Sequence, residues 1–424
     1  MADSDAGFGT RTERGDARPL WADQYPELDR GPIPVAYLHE QKYFDLERDK
    51  IFRRCWIYVG RVEEIPSPNG FVVREIEICN ASVVIVRNDA TGKLSAFHNV
   101  CKHRLNKLVY ERSGSVGSFV CNYHAWAYDR AGELRHVPDE DAFYGLDRSK
   151  CGLTKVAVDQ WRGFIFINLD PQPAQSLMEY LEDIPDMLKE YPFEKLTGAC
   201  CGYQIDLNVN WKTGQHANME SYHAEKLHLS PMIGGLKMLA NVGNRPINMK
   251  LMKKHRFFAF GMKREGGIET APPILRLAGE LATPPEEGLG DAAPRPEITG
   301  RFVRYPGVNF NDAEWWGGDN FFIFPNFLIA TNAGFFQTFL FNPLELRRTR
   351  LTNNFYYPGI QTAGDLFALK ASIALQLDII LGDIWAGDRV QAGVAAGAAK
   401  EMMLNDSELA IRHEFKVYNE MIEA

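Results

Sequence analysis

No run of about eighteen apolar residues interrupts the 424-residue chain, so the sequence offers no membrane-spanning helix. The opening stretch MADSDAGFGTRTERGDARP lacks the apolar centre of an export signal. It reads as a flexible tail over residues 1–20, and the protein reads as cytoplasmic. Basic residues are outnumbered: the formal net charge of −8 argues against a nucleic-acid binder. Cysteine is scarce and odd in number, seven in all, which argues against a disulfide framework. Five of them, Cys55, Cys79, Cys151, Cys200 and Cys201, are scattered and are expected to be small buried residues. Also missing are a GxGxxG motif at a strand–helix junction and the cysteine set of a plant-type ferredoxin.

What is present divides the chain. Its length exceeds that of one ordinary domain, so two are expected. Residues 21–54 read as a helical lead-in, with Tyr37, Tyr43, Phe44, Leu46, Ile51 and Phe52 at helical spacing. From 55 to 170 short β-rich runs alternate with turn signals: CWIYVG, GFVVREIEI, SVVIVRN, SFVCNYHAWAY, TKVAVD and GFIFINL. That texture predicts an antiparallel β domain. Residues 171–424 mix types. SLMEYLEDIPDMLKEY reads as helical with a break near Pro185, CGYQIDLNVN as a strand, and NWKTGQHANMESYHAEKLH as a helix. Three further strands, a long helix over 363–398 and a closing helix then make this part α+β.

Two loops of the β domain carry chemistry. Cys101 and His103 occupy one, Cys121 and His124 the other, in the pattern C-x-H-x17-C-x2-H. Two buried cysteines with two unrelated histidines would be a coincidence in matched loops. A structural zinc accepts Cys2His2, but zinc-finger spacing groups like ligands together. Here they alternate. A Rieske [2Fe–2S] centre has two cysteines on one iron and two histidines on the other, so facing hairpin loops each contribute one of each.

Cys101-Lys-His103-Arg104 and Cys121-Asn-Tyr-His124-Ala-Trp126 resemble the cluster motif of Rieske non-haem iron oxygenases, catalytic (α) subunits. FDLERDKIFRRCWIYVG resembles the family's lead-in, and GFIFINLDP the close of its Rieske domain. The resemblance covers most of the chain and is weakest between about 235 and 320. It implies an antiparallel Rieske domain followed by a helix-grip catalytic domain, with the lead-in packed on the latter.

It also implies a mononuclear Fe(II) held by two histidines and a carboxylate, leaving one face for O2. Glu220-Ser-Tyr-His223-Ala-Glu-Lys-Leu-His228 fits the family pattern D/E-x2-H-x4-H. Five positions in a regular helix overshoot one face by about 140°, so a helix end or widened turn must bring His223 and His228 together. By the resemblance these two bind iron. Glu220 bridges His223 to His124 of a neighbouring chain as a path for electrons. Asp is commoner at that position; Glu marks a branch that includes demethylases of quaternary amines. For the third ligand the long helix offers Asp378, Asp383 and Asp388. The family's phasing of an acid, a second acid five on and a Gln three beyond selects Asp383, Asp388 and Gln391, making Asp383 the ligand. Many members have Glu-Asn where this chain has His216-Ala217; His216 reads as a satisfied helical histidine, with a pocket residue as the alternative.

The resemblance further implies a ring of three chains, as a homotrimer or α3β3, fed by a ferredoxin or a flavin reductase. The expected substrate is an aromatic compound, hydroxylated or oxidatively dealkylated. The alternatives are a quaternary amine such as a betaine, or a Rieske electron-transfer protein without oxygenase activity. Trp315-Trp316, Phe321-Phe322-Ile323-Phe324 and residues 210–245 are the candidate pocket. Lys102, Arg104, Lys107 and Arg112 make a local basic patch that suits an acidic electron carrier. Charge reversal at Lys102 and Lys107 is expected to slow reduction by the partner without altering the cluster's spectrum; an unchanged stopped-flow rate would exclude docking there.

Overall fold

The computed structural model describes residues 20–88, 92–228, 246–261, 272–281, 307–309, 316–332 and 335–423. Residues 1–19 of the tail and Trp315 lie outside them, as do residues 229–245 of the candidate pocket. A two-stranded pairing joins β1 (Ile33–Pro34) to β19 (Glu401–Met402). The predicted lead-in helix is present in pieces. A turn at Ala36–Leu38 precedes α1 (Gln41–Leu46), which widens into π-helical turns over Glu47–Phe52.

The first sheet is antiparallel. Its strands are β2 (Ile57–Arg61), β3 (Gly70–Ile76), β4 (Ala81–Arg87), β5 (Leu94–His98), β6 (Ser113–Ser115), β10 (Lys155–Trp161) and β11 (Phe164–Asn168). Their order is β2-β11-β10-β5-β4-β3-β6. A small sheet of β7 (Phe119–Val120), β8 (Ala127–Tyr128) and β9 (Leu134–His136) stands beside it.

Two one-turn helices follow, α2 (Leu177–Tyr180) and α3 (Ile184–Met187). The break falls at Glu182, which has φ +54°, and Pro185 sits at the start of α3, where a missing N–H costs nothing. The second sheet comprises β12 (Ala199–Leu207), β13 (Asn248–Leu251), β14 (Arg256–Gly261), β15 (Trp316–Ile323), β16 (Phe327–Thr331), β17 (Phe336–Glu345) and β18 (Arg348–Tyr357). It is ordered β12-β18-β17-β16-β15-β14-β13. Between β12 and β13 lie α4 (Trp211–His216) and α5 (Ala224–Leu227). The long helix Ala363–Ala396 and the closing helix Leu409–Glu423 complete the α+β architecture. Among the described residues no helix is long and apolar enough to cross a membrane.

The central strands of the second sheet are apolar almost throughout because both their faces are buried. Phe257, Phe321, Ile323, Phe327, Ile329 and Phe336 share a core with Phe164 and Phe166 of the first sheet. Tyr58 stacks on Phe327 at 3.8 Å between ring centroids. The alternate residues Phe258, Phe322, Leu328, Phe339 and Leu351 form a second core with Ile380 of the long helix. Period-two alternation thus appears as two buried faces rather than one buried and one wet.

Of the scattered cysteines, Cys55 and Cys79 are buried and Cys151 and Cys201 half-buried. Cys200 is exposed, contrary to expectation, and lies on β12, a strand at the sheet edge.

His255 locks the β15–β16 hairpin to α2. Its Nδ1 accepts from the Phe324 N–H at 3.0 Å and its Nε2–H donates to the Tyr180 carbonyl at 2.5 Å. Those partners fix the neutral tautomer, and burial drives its pKa down to about 3. The unfolded chain therefore binds a proton that the folded chain refuses between about pH 6.5 and 3, so this contribution is lost as pH falls. His255→Gln, which keeps a donor and an acceptor, is expected to flatten the acid loss of stability by up to about 1.4 kcal/mol per pH unit. Urea unfolding of both proteins at pH 7, 6 and 5 reads this directly.

Candidate functional site

The two cluster loops are built alike although their spacings differ. One is closed by an antiparallel bridge between Val100 and Lys107, the other by the pairing of Val120 with Ala127. Cys101 N–H donates to the Asn106 carbonyl and Cys121 N–H to the Trp126 carbonyl, each at 2.9 Å. Four residues after each cysteine the chain enters the left-handed region, at Leu105 (φ +58°) and Ala125 (φ +56°). The same turn is thus made twice. It brings the His103 and His124 rings to 4.5 Å between centroids.

Both cysteines are buried and unlinked. The Cys121 thiol meets the N–H groups of Tyr123 and His124, and the Asn106 amide lies 3.7 Å from its sulfur. Burial works against ionisation of Cys121, but these donors outweigh it and lower its pKa. The Tyr128 hydroxyl lies 3.3 Å from Cys101 Sγ and accepts from the Lys102 N–H. The His103 Nδ1 is buried without a hydrogen-bond partner. Trp126 stacks on the His103 ring at 5.0 Å and 7°. Two thiols with oriented N–H donors and a free imidazole nitrogen are a donor set suited to an iron–sulfur cluster.

The second site begins at α4. Asn210 caps this helix by accepting from Lys212 N–H, and its own N–H donates to Gln391 Oε1 of the long helix at 2.8 Å. The predicted single helix over 210–228 is interrupted: a tight turn at Ala217–Met219 leads to Glu220 in an extended conformation. His223 and His228 then bracket the one-turn α5, one at each end. That break closes the angular gap a regular helix would leave.

His223 Nε2 and His228 Nε2 lie 3.2 Å apart, and each is 3.3 Å from Asp383 Oδ1. Asp383 Oδ1 is buried and receives no well-directed hydrogen bond. A first-row metal with bonds of about 2.1 Å separates neighbouring ligands by roughly 3.0–3.4 Å, so this triangle fits one. Among the described residues it is the one group of three or more such side chains that converges in this way. Asp378 and Asp388 are not in the group, and Asp388 is exposed.

Glu220 sets the tautomer. Its carboxylate accepts from His223 Nδ1–H and from the N–H groups of Tyr222 and His223. In the neutral ring this leaves Nε2 as a lone pair facing Asp383. Burial opposes protonation of His223, but the Asp383 and Glu220 carboxylates beside it lift its pKa to about 10. Asp383 is held below the usual carboxylate range: burial would raise it, and the two histidines outweigh burial. The two carboxylates make a local well for positive charge, whichever cation fills it.

His216 Nε2 lies 2.9 Å from the buried Glu414 carboxylate, whose other oxygen accepts from Gln215 at 2.5 Å. It is a paired histidine at the end of α4. The aromatic stretch divides between the two faces. Trp316, Phe321, Ile323 and Phe324 belong to the core shared with the first sheet, and Phe322 belongs to the core under the long helix. Trp316 therefore leaves the pocket set; its ring N–H donates to Asp319 at 2.7 Å. Of the basic patch, Lys102, Arg104 and Arg112 are exposed, and Lys107 pairs with Glu75 at 2.7 Å.

Gly382 escaped the sequence reading because a lone glycine in a helix carries no chemistry. A Cβ there would come within 3.1 Å of His228 Nδ1, so the long helix can approach His228 closely.

Residues 199–424 match the family described as ring hydroxylating alpha subunit (catalytic domain), and residues 55–158 the Rieske [2Fe-2S] domain. Among curated proteins, the chain is 32% identical over 196 residues to a glycine betaine monooxygenase oxygenase subunit of Chromohalobacter salexigens. That match covers 46% of this chain and 43% of the relative. The large oxygenase component of a naphthalene 1,2-dioxygenase system of Pseudomonas fluorescens is 27% identical over 331 residues, covering 74% and 68%. The first relative is thus matched over less than half its length. A quaternary ammonium Rieske monooxygenase of solved structure shares the fold, with a TM-score of 0.70 over 96% of this chain and 99% of its own, at 18% identity.

Gly382→Val is expected to push His228 out of the triangle and weaken iron binding at least tenfold. Iron titration of the refolded or chelator-treated protein checks it, with circular dichroism showing an unchanged fold.

Proposed function

The chain belongs to the ring-hydroxylating α-subunit family, with its Rieske [2Fe–2S] cluster, mononuclear Fe(II) and O2, and on that premise we propose a terminal oxygenase acting on an aromatic compound. The reaction is hydroxylation or oxidative removal of an alkyl group. The observation that carries the reading is the convergence of His223, His228 and Asp383 in one chain with the paired Cys/His loops. The naphthalene-oxidising relative supports the aromatic substrate.

In this reading Cys101, His103, Cys121 and His124 hold the cluster, and His223, His228 and Asp383 hold the iron. Bound there, the iron supplies the activation of O2. The residues of the chain do the rest. Glu220 holds His223 in the tautomer that presents Nε2 and faces His124 of a neighbouring chain in a trimer. Asp383 balances the cation's charge. The burial of the triangle beside the second core limits access of water. Electrons come from a separate ferredoxin or flavin reductase, which the exposed basic side chains around the cluster loops suit.

A second reading, a monooxygenase demethylating a quaternary amine, draws on Glu220 in place of the commoner Asp and on the betaine-oxidising relative. A turnover screen with aryl ethers, N-alkyl anilines and betaines separates the two.

His223→Ala is expected to lose one iron per chain and all turnover while keeping the Rieske absorption and EPR signals. Glu220→Gln should keep both metals yet slow electron delivery to the second site by at least tenfold, read by single-turnover kinetics. A His223→Ala protein that lost no iron would leave only an electron-transfer role.

A further inference from the structure

The iron-site face of the second sheet carries polar groups that the fold leaves without partners. Register places Tyr203 of β12 opposite Asn353 of β18, and Phe339 of β17 opposite Asn353 on the other side. Gln337, two residues before Phe339, is the diagonal neighbour of Asn353, within reach of a long side chain. All four project to the face that carries Phe339, Phe341 and Leu351, the core built against the long helix. Tyr203 packs on the same core as Ile380 and Ile384, the long-helix residues on either side of Asp383, so the row begins on the side of the triangle.

Asn353 is fully buried and Gln337 is 2% exposed. Asn353 Nδ2 donates to the Thr338 carbonyl at 3.1 Å, which leaves its Oδ1 pointing away. Asn353 Oδ1, Gln337 Oε1 and Tyr203 Oη are all buried and have no hydrogen-bond partner among the described residues. A buried polar atom without a partner is costly, and here two carbonyl oxygens and a hydroxyl share one sheet face, where a ligand's donor would satisfy them. Aromatic rings frame them: Phe355 lies opposite Gln337, and the Tyr203 and Phe355 ring centroids are 6.4 Å apart.

We infer that Gln337 and Asn353, with Tyr203, are specificity-determining residues for a substrate that carries an N–H or O–H donor on an aromatic ring. The inference rests on the oxygenase reading and narrows its substrate class. The carbonyl oxygens accept from the donor, and the rings of Phe355 and Phe339 flank the aromatic part. Donor and acceptor pairing fixes which substrate atom faces the triangle at His223, His228 and Asp383. A substrate without the donor leaves the same oxygens unpaired and is discriminated against. A quaternary amine has no such donor.

The test uses the iron-loaded, cluster-intact protein and three probes. Acetanilide carries an N–H; phenylacetone replaces that N–H with a methylene; N,N,N-trimethylanilinium carries charge without a donor. Calorimetric affinities are expected to favour acetanilide over phenylacetone by at least tenfold. Gln337→Met should abolish that preference, and Gln337→Glu, which keeps an acceptor, should restore it. Equal or undetectable affinity for the acetanilide–phenylacetone pair overturns the assignment. So does tighter binding of trimethylanilinium, or a preference that survives Gln337→Met. The comparison within the wild-type protein stands whether or not a variant folds. Failure of the oxygenase reading shows separately, as missing mononuclear iron or no substrate-dependent O2 uptake in the same preparation.

Discussion

Glu47 and Lys212 are both fully withdrawn from solvent and meet as an ion pair across the junction between the lead-in helix and α4. The Trp211 ring N–H adds a 2.6 Å hydrogen bond to the same carboxylate, and Phe52 packs edge-on against Trp211 at 5.4 Å. Burial pushes the Glu47 carboxyl up and the Lys212 ammonium down, while their mutual attraction resists both. Such a pair adds little net stability, yet removing one member costs about 3–5 kcal/mol because the other is stranded. Its value here is positional. Lys212 and Trp211 form the first turn of α4, and α4 runs within a few residues into Glu220 and His223. A second buried group, Glu414 with Gln215 and His216, clamps the other end of the same helix to the closing helix. Fixed at both ends, α4 delivers the turn of His223 and His228 to the long helix, where Gln391 holds Asn210 and Asp383 faces the histidines.

Geometry of this kind explains why the turn carrying His223 and His228 need not be a regular helix. The five-residue interval between His223 and His228 is awkward for an α-helix and suits a single turn with a histidine at each end. Glu220 takes the role that an N-terminal capping group would take, accepting the N–H groups of Tyr222 and His223 while also holding the imidazole. One carboxylate thus ends the irregular segment, starts the next turn and selects the tautomer.

Much of the fold was legible in sequence because period and punctuation were clear. The β-rich texture of the first sheet and the length of the long helix came from alternation, turn residues and an uninterrupted helical pattern. The cluster loops were legible because alternation of Cys and His is itself a geometric statement. Asp383 was reached only through the family resemblance, whose spacing of two acids and a glutamine singles it out from Asp378 and Asp388. The buried pairs were not legible. Glu47 and Lys212 are 165 positions apart, and His216 and Glu414 are 198 apart, so only tertiary structure says that they meet. Likewise Trp316 and Phe322 look equivalent as sequence and share the parity of one face, but the irregularity in the β14–β15 pairing between Phe260 and Gly261 falls between them, and they end in different cores. The acceptors on Gln337 and Asn353 needed register, since an amide in a strand is ordinarily paired or wet.

The two-faced burial of the second sheet has a consequence for how such a protein can change over time. In β17 and β18 Phe339 and Leu351 look toward the core under the long helix, with Gln337, Asn353 and Phe355 on the same side, and Phe336 and Tyr356 look toward the first sheet. A mutation on one side repacks one core with little effect on the other. The pleat therefore separates two kinds of selection within a single strand, so one face can drift while the other keeps its seat on the first sheet.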